Sequence, residues 1–261
     1  MIGFIGGGNM AEAMIKGMTL EGMKDILVSE PRPERRQELE RLYGVKSTGS
    51  NREVAGSCSV VVLAVKPQQM PAVLDEISGD VDAETTVVSI AAGVTLATLQ
   101  AKLRSRRIVR VMPNTPALLQ EGMSVMSLCE CFTGKEIETV RNILMSVGRV
   151  LTLPESRMNA VTALSGSGPA FIALFAEAMI DSGEWMGLSR QDATELIVQT
   201  LTGTAKLLDS GMSPERLRQM VTSPGGTTAA GLAVFERKGL RQVVAEALEA
   251  ARNRAEELGK S

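Results

Sequence analysis

The sequence predicts an α/β protein: a doubly wound, largely parallel sheet comes first, and an all-α region follows it. Short β-branched runs alternate with helical patterns up to about residue 153, and this alternation is typical of βαβ units. The run Val60–Val65 is apolar throughout, as expected of a central strand that is covered on both faces. Beyond Leu153 the strand pattern stops and helical patterns continue.

The predicted strands are Ile2–Ile5, Ile26–Val28, Val60–Val65, Thr86–Ile90, Ile108–Val111, Ser124–Met126 and Val150–Leu153. The predicted helices of the second part are Pro169–Ser182, Arg190–Ser210, Pro214–Val221, Thr227–Lys238 and Leu240–Leu258. Gly166, Gly168 and Pro169 mark the start of the helical part, since proline suits the first turn of a helix. We therefore expect two domains, residues 1–155 and 156–261.

The composition is that of a folded globular protein, and it limits the chemistry. The chain has 261 residues, of which 44% are hydrophobic and 22% charged, and it contains no histidine. The lack of histidine excludes Ser-His-Asp hydrolysis and imidazole-bound metals, and we expect no metal site. The net charge of −2 leaves no basic surplus for a nucleic acid partner.

Neither a membrane segment nor a disulfide framework is expected. The longest unbroken apolar stretch, Val60–Val65, is far shorter than the ~18 residues of a membrane span, and the first residues resemble a strand rather than a signal peptide. A cytoplasmic location is the expectation. Cys58, Cys129 and Cys131 are too few for a disulfide framework and lack the spacing of a zinc site, so we expect buried or incidental thiols.

The segment Gly6-Gly7-Gly8-Asn9-Met10-Ala11 follows the first strand directly and opens a helix. Gly6 permits a tight turn, Gly8 lets the backbone approach a pyrophosphate, and Ala11 allows close packing of helix and sheet. The free N–H groups and the positive end of the helix dipole would hold the anion. This context predicts a Rossmann-type dinucleotide site, against the alternative of a tight turn that merely needs small residues.

The second strand is followed by Ser29-Glu30-Pro31-Arg32, where a Rossmann domain meets the adenosine ribose. Glu30 would accept hydrogen bonds from the ribose hydroxyls and favour NAD. Arg32 and Ser29 suit a 2′-phosphate and favour NADP. A third interpretation is that Glu30, Arg35 and Arg36 form a solvated charged face.

Two further segments follow predicted strands, at the sheet edge where ligands collect in open α/β folds. They are Ala64-Val65-Lys66-Pro67 and Met112-Pro113-Asn114-Thr115-Pro116. The prolines end each strand and would expose Lys66 and Asn114 beside a cofactor. A surface lysine and a turn asparagine explain the same residues equally well.

The segment Ser223-Pro224-Gly225-Gly226-Thr227-Thr228 precedes a predicted helix in the second part. Its two glycines expose backbone N–H groups where the helix begins, and hydroxyl groups flank them, so a carboxylate would fit. The alternative is a turn in which a serine or threonine simply caps the helix.

The predicted helices of the second part carry too much apolar surface for a small domain. Apolar side chains recur on most of the circumference in 171–179 and again in 196–208. A segment of about 105 residues buries only a modest fraction of its surface by itself. We therefore predict a homodimer formed through this half of the chain.

The chain resembles the pyrroline-5-carboxylate reductase family over nearly its whole length. The resemblance rests on five ordered segments: Gly3–Ala11, Ala64–Gln68, Met112–Pro116, Leu164–Ala170 and Ser223–Thr228. It implies an N-terminal Rossmann domain, a helical dimerisation domain that interlocks with its twin, and dimers that assemble into larger rings. It also implies reduction of a cyclic imine to proline, with NADPH as the family's commoner coenzyme and NADH as the alternative.

The resemblance also implies roles for individual residues. The substrate carboxylate would lie against Ser223, Gly225, Gly226 and Thr227, and Thr228 would be the catalytic hydroxyl that faces the imine. The implied coenzyme contacts, taken together with the residues after the second strand, are Gly6, Gly7, Gly8, Asn9, Met10, Ser29, Arg32, Asn51, Ala64, Lys66, Pro67 and Asn114. A protonated imine is already an electrophile, so a chain without histidine loses nothing essential.

Two other functions are weighed against this one. A β-hydroxyacid dehydrogenase shares the two-domain plan but places a catalytic lysine soon after its GxG segment, and residues 169–175 contain no lysine. A non-catalytic dinucleotide sensor that dimerises through its helices would explain the glycine turn but would give the Ser223–Thr228 segment no role.

Overall fold

The structure is a computed structural model that describes residues 1–129, 132 and 134–259. Contacts divide the chain into two compact units. The sheet unit comprises Met1–Ser167 together with Ala250–Ser261, and the helical unit comprises Gly168–Glu249. The expected domains, 1–155 and 156–261, describe a functional division and stay a prediction.

One sheet of eight strands forms the centre of the sheet unit. Its strands are β1 (Ile2–Ile5), β2 (Ile26–Ser29), β3 (Lys46–Thr48), β4 (Val60–Leu63), β5 (Thr86–Ser89), β6 (Arg107–Met112), β7 (Gly122–Leu128) and β8 (Gly148–Thr152). They lie in the order β3-β2-β1-β4-β5-β6-β7-β8, and all neighbouring pairs are parallel except β6 and β7. The prediction of a largely parallel, doubly wound sheet is confirmed.

Two features of the sheet were not part of the sequence prediction. The edge strand β3 was not predicted, because Lys46-Ser47-Thr48 carries no apolar pattern. The pair of β6 and β7 is antiparallel because residues 113–121 are too few for a crossover, which needs about a dozen residues or more.

Helices cover both faces of the sheet. They are α1 (Asn9–Leu20), α2 (Pro33–Tyr43), α3 (Asn51–Ser57), α4 (Met70–Ile77), α5 (Leu96–Lys102), α6 (Gly134–Met145) and the short α7 (Met158–Val161). Alternate residues of each strand face opposite sides, so Phe4 belongs to one hydrophobic cluster and Ile5 to the other. Both side chains are fully buried, and the sheet unit therefore has a closed core on each face.

The remaining helices are α8 (Gly168–Trp185), α9 (Arg190–Asp209), α10 (Pro214–Met220), α11 (Thr227–Arg237) and α12 (Leu240–Leu258), so the predicted all-α part is confirmed. Among residues 168–249, all of which the structure describes, only Gly183 and Ala193 are buried. The helical stretch Glu155–Trp185 contains an 18-residue window with a mean hydropathy of 1.4, which is long and apolar enough to cross a membrane by length and composition alone.

Two of the three cysteines lie among the described residues. Cys58 and Cys129 are buried and free, and burial raises the pKa of the Cys58 thiol. The prediction of buried thiols is confirmed for these two. Cys131 lies outside the described residues.

Candidate functional site

The glycine turn connects β1 to α1 at the carboxyl edge of the sheet. Gly6 has φ +100°, and a Cβ at this position would lie 2.8 Å from the carbonyl oxygen of Ala64. Only glycine adopts this conformation without strain and tolerates such a close approach. The turn after β1 therefore runs directly against the chain that leaves β4, at the point where the strand order reverses. Open α/β sheets bind ligands at this reversal.

The first turn of α1 is built to accept an anion. The helix begins after Gly8, and no side chain caps it in the described part of the chain. The N–H groups of Asn9 and Met10 belong to this first turn, where a helix has no internal acceptor for them. A Cβ on Gly8 would meet no protein atom within 4 Å, so glycine keeps the approach to these groups open. The residues present therefore fit a dinucleotide diphosphate.

Glu30, directly after β2, is buried and already bonded on both carboxylate oxygens. One oxygen accepts the N–H of Gly7 at 3.1 Å, and the other accepts the backbone N–H and Nε of Arg32 at 3.2 and 2.7 Å. Burial alone would raise the pKa of Glu30, but the hydrogen bonds from Arg32 and Gly7 outweigh it and hold the pKa below its usual value. Glu30 thus braces the glycine turn as an ionised group.

The solvated-face interpretation of Glu30, Arg35 and Arg36 is wrong. Glu30 is only 4% exposed, and Arg35 donates to the carbonyl of Gly7 at 2.8 Å as well as to two carboxylates. Arg36 donates to the carbonyl of Glu30 at 2.7 Å. These charges hold the loop between β2 and α2 against the glycine turn, a non-local arrangement that spacing along the sequence does not show.

Ser29 and Asn51 form a chain of hydrogen bonds beside the glycine turn. The buried Ser29 hydroxyl donates to Oδ1 of Asn51 at 2.6 Å, and Nδ2 of Asn51 donates to Glu76 at 2.8 Å. The orientation of the Asn51 amide is therefore fixed by partners on both sides. Sequence reasoning did not single out Glu76, because a glutamate within helix α4 carries no motif. Arg32, unlike the buried Ser29, is open to solvent, since its side chain is 65% exposed.

The exit of β4 lies beside the glycine turn. The N–H of Ala64 donates to the carbonyl of Ile5 at 2.8 Å, and Lys66 and Pro67 are exposed. Pro67 opens a short 3-10 turn, Pro67–Gln69, that directs the chain away from the sheet. The predicted coenzyme residues Ala64, Lys66 and Pro67 thus follow the strand next to β1.

The exit of β6 is organised by Asn114. Its Oδ1 accepts the N–H of Met123 at 2.8 Å, and its Nδ2 donates to the hydroxyl of Ser165 at 3.3 Å. Ser165 belongs to a π-helical turn, Thr162–Gly166, and such turns are frequent at functional sites. A Cβ on Gly166 would lie 2.5 Å from the methyl group of Met112. Two of the segments that carried the family resemblance therefore pack together.

Within the helical unit, the segment Ser223–Thr228 forms an uncapped helix start. Gly225 has φ +72°, Gly226 is the residue before α11, and the N–H of Gly226 donates to the carbonyl of Ser223 at 3.0 Å. No side chain caps the first turn of α11 in the described chain, so the capped-turn alternative is wrong. Thr228 lies in that first turn and is partly buried. The segment offers backbone N–H groups and hydroxyls to an anion such as a carboxylate.

Among the described residues, no group of three or more cysteine, aspartate or glutamate side chains is placed to hold a metal ion.

Comparisons with known proteins agree with this geometry. Residues 155–258 match the family model described as pyrroline-5-carboxylate reductase dimerisation, and residues 1–93 match the model described as NADP oxidoreductase coenzyme F420-dependent. The dimerisation match indicates a homodimer. The pyrroline-5-carboxylate reductase of Synechocystis sp. is 41% identical over 99% of this chain and 98% of its own length.

Two solved structures are similar over nearly the whole chain. A pyrroline-5-carboxylate reductase from Coxiella burnetii has a TM-score of 0.91 at 38% identity, covering 100% of this chain and 98% of its own. The pyrroline carboxylate reductase of Plasmodium falciparum, solved with NADP bound, has a TM-score of 0.88 at 31% identity, covering 99% and 97%.

Proposed function

Because this chain belongs to the pyrroline-5-carboxylate reductase family, we propose that it reduces pyrroline-5-carboxylate to L-proline with NADPH. In this proposal the sheet unit binds the coenzyme and the helical unit binds the substrate carboxylate. The observation that carries it is the uncapped start of α11, where the N–H groups of Thr227 and Thr228 in the first helical turn have no side-chain cap and lie beside hydroxyl groups. The alternative function, a non-catalytic dinucleotide sensor, would leave this second anion site without a ligand.

The main contribution of the protein to this reaction is to position its ligands. When bound, the reduced nicotinamide supplies a hydride. On a protonated imine this hydride would go to the ring carbon and the C=N π electrons to the nitrogen, so the products would be a neutral secondary amine and the oxidised nicotinamide. The chain's own contribution is to hold the carboxylate at Ser223, Gly225, Gly226 and Thr227. The Thr228 hydroxyl orients the ring nitrogen, or passes it a proton through water when the imine arrives neutral.

Substitution of Thr228 separates these two roles. Thr228→Ala lowers turnover by about 10²-fold or less if the iminium arrives protonated, and by up to about 10⁴-fold if the hydroxyl is an obligatory proton donor. The measurement is NADPH oxidation in the presence of pyrroline-5-carboxylate, with Thr228→Ser as the control that keeps a hydroxyl. Unchanged turnover of Thr228→Ala at saturating substrate would remove Thr228 from the mechanism. A wild-type protein that binds NADPH but shows no turnover would favour the sensor.

The preference for NADPH is supported by the residues after β2. Both oxygens of Glu30 already accept hydrogen bonds, which leaves this carboxylate poorly placed to serve ribose hydroxyls. Arg32 carries an exposed guanidinium suited to a 2′-phosphate. Ser29, which is buried against Asn51, acts in this proposal through that residue, and Asn51 faces the adenosine ribose. Lys66 and Pro67 line the coenzyme, and Asn114 lies nearer the nicotinamide.

Initial rates with NADH and NADPH at matched substrate test this preference. We expect NADPH to be the better coenzyme, and Arg32→Ala to raise the KM for NADPH by about 10-fold while leaving that for NADH unchanged. A higher kcat/KM with NADH in the wild-type protein would instead assign the ribose pocket to Glu30.

The partner in this proposal is a second copy of the chain. Residues 156–261 would form the substrate and dimerisation domain, and the dimers would build larger rings in the cytoplasm. The exposed apolar helices then meet protein rather than lipid. Mass measured by light scattering at micromolar concentration tests this assembly, and a monomeric mass would contradict it.

A further inference from the structure

The peptide between Gly7 and Gly8 is held on its carbonyl side by a partly buried arginine. The carbonyl oxygen of Gly7 accepts Nε of Arg35 at 2.8 Å. A trans peptide is planar, and its N–H points opposite to its carbonyl. The Gly8 N–H therefore points away from Arg35. The preceding peptide is fixed as well, since the Gly7 N–H donates to Glu30.

Arg35 itself has little freedom to move. Its side chain is 14% exposed, and its two amino groups donate to Glu12 of α1 and to Glu38 of α2. Glu12 is steadied in turn by the hydroxyl of Tyr43 at 2.8 Å. Burial works against the charge of Arg35, but the hydrogen bonds to the two carboxylates outweigh it and raise its pKa above the usual value. The guanidinium thus joins α1, α2 and the glycine turn.

We propose that Arg35 is a positioning residue for the coenzyme: it fixes the Gly7 carbonyl so that the Gly8 N–H faces the diphosphate at the start of α1. The inference rests on the proposed dinucleotide function of this turn. A lysine cannot replace Arg35, because one ammonium group cannot span acceptors on α1, α2 and the turn in the planar arrangement of a guanidinium. Arg35 bonds to Gly7 of the turn that NADPH and NADH would share, so we expect it to act equally on both coenzymes.

Coenzyme affinity in the absence of substrate tests the proposal directly. Dissociation constants for NADPH and NADH are measured by fluorescence titration of the full chain. We expect Arg35→Met to weaken both coenzymes by the same factor, about 10-fold, and Arg35→Lys to lose nearly as much. Arg41→Met, an exposed arginine on the same helix, is the matched control and should leave both constants unchanged.

A comparison of the affinity losses for NADPH and NADH distinguishes a positioning role of Arg35 from other roles. A loss confined to NADPH would overturn the proposal, because Arg35 would then be a ligand of the 2′-phosphate. Unchanged affinities with a lower Tm would also overturn it, because the role would be purely structural. If Arg35→Met does not fold, Glu12→Gln replaces it: an equal, smaller loss for both coenzymes supports the proposal, and no loss contradicts it. A wild-type chain that binds neither coenzyme would refute the proposed function itself.

Discussion

The two compact units of this chain bury their apolar side chains in different ways. The sheet unit encloses a cluster on each face, and Phe4 and Leu63 are fully buried there. In the helical unit, Leu174 is 65% and Trp185 is 89% exposed. A small unit that presents this much apolar surface to water is typical of an interface. The sheet unit therefore holds its own core, whereas the helical unit depends on a second chain.

The largest effect is expected from a charge placed on the apolar surface of the helical unit. Leu174→Arg puts a guanidinium into the predicted dimer interface, where it would be buried without a partner. We expect the dimer dissociation constant to rise by roughly 100-fold or more, because an unpaired charge buried in an interface costs several kcal/mol. Analytical ultracentrifugation over a concentration series measures the change.

Leu20→Arg is the matched control for this substitution. Leu20 lies at the end of α1 in the sheet unit and is 70% exposed, close to the value for Leu174. If exposure alone decided the outcome, both variants would behave alike. We expect Leu20→Arg to remain dimeric, and equal dissociation of the two variants would break the comparison between the units.

A smaller effect is expected from removing a side chain of the closed core. Phe4→Ala should lower the free energy of unfolding of the sheet unit by about 3–5 kcal/mol, through lost burial and the cavity left behind. Leu196→Ala in α9, where the side chain is 55% exposed, should instead lower stability by an amount that shrinks as protein concentration rises. Denaturation at two protein concentrations separates the cases, and a concentration-independent loss at Leu196 would contradict dependence on a partner.

Features that depend on neighbours along the chain could be predicted from the sequence. The glycine turn at Gly6 and the helix start at Gly226 each need a particular backbone conformation within a few residues, and both lie where expected. The strands with apolar runs were also predicted. The edge strand β3 was not predicted, because its polar residues pair with β2 alone among the described strands and their side chains are little buried. The direction of β7 is set by the short connection from β6, and the residue pattern of a strand carries no information about its direction.

Features that depend on distant partners could not be predicted. Glu30 was expected at a ribose or on a solvated face, but its carboxylate accepts the N–H of Gly7, 23 positions away. Ser165 was named only within the Leu164–Ala170 segment that carries the family resemblance, and its contact with Asn114 crosses 51 positions. Such groups come together only when the chain folds, and neither hydrophobic periodicity nor residue spacing predicts these contacts.

The smallest effect on stability is expected from neutralising a single glutamate. The size of this effect again differs between the sheet unit and the helical unit. Glu30→Gln should cost the sheet unit roughly 1 kcal/mol at neutral pH, since Arg32 is partly screened by solvent. The pKa of Glu30 is lowered on folding, so its contribution is fully present above the ordinary value of 4.5 and is lost as the pH falls below it. The stability difference between wild type and Glu30→Gln should therefore shrink below about pH 4.5. In the helical unit, Glu184→Gln should leave the stability essentially unchanged, because Arg190 keeps Asp181 as a partner and the ion pair is exposed to solvent. Denaturant titrations across this pH range measure both variants, and a Glu30→Gln difference that grows in acid would show that Glu30 is not ionised in the folded protein.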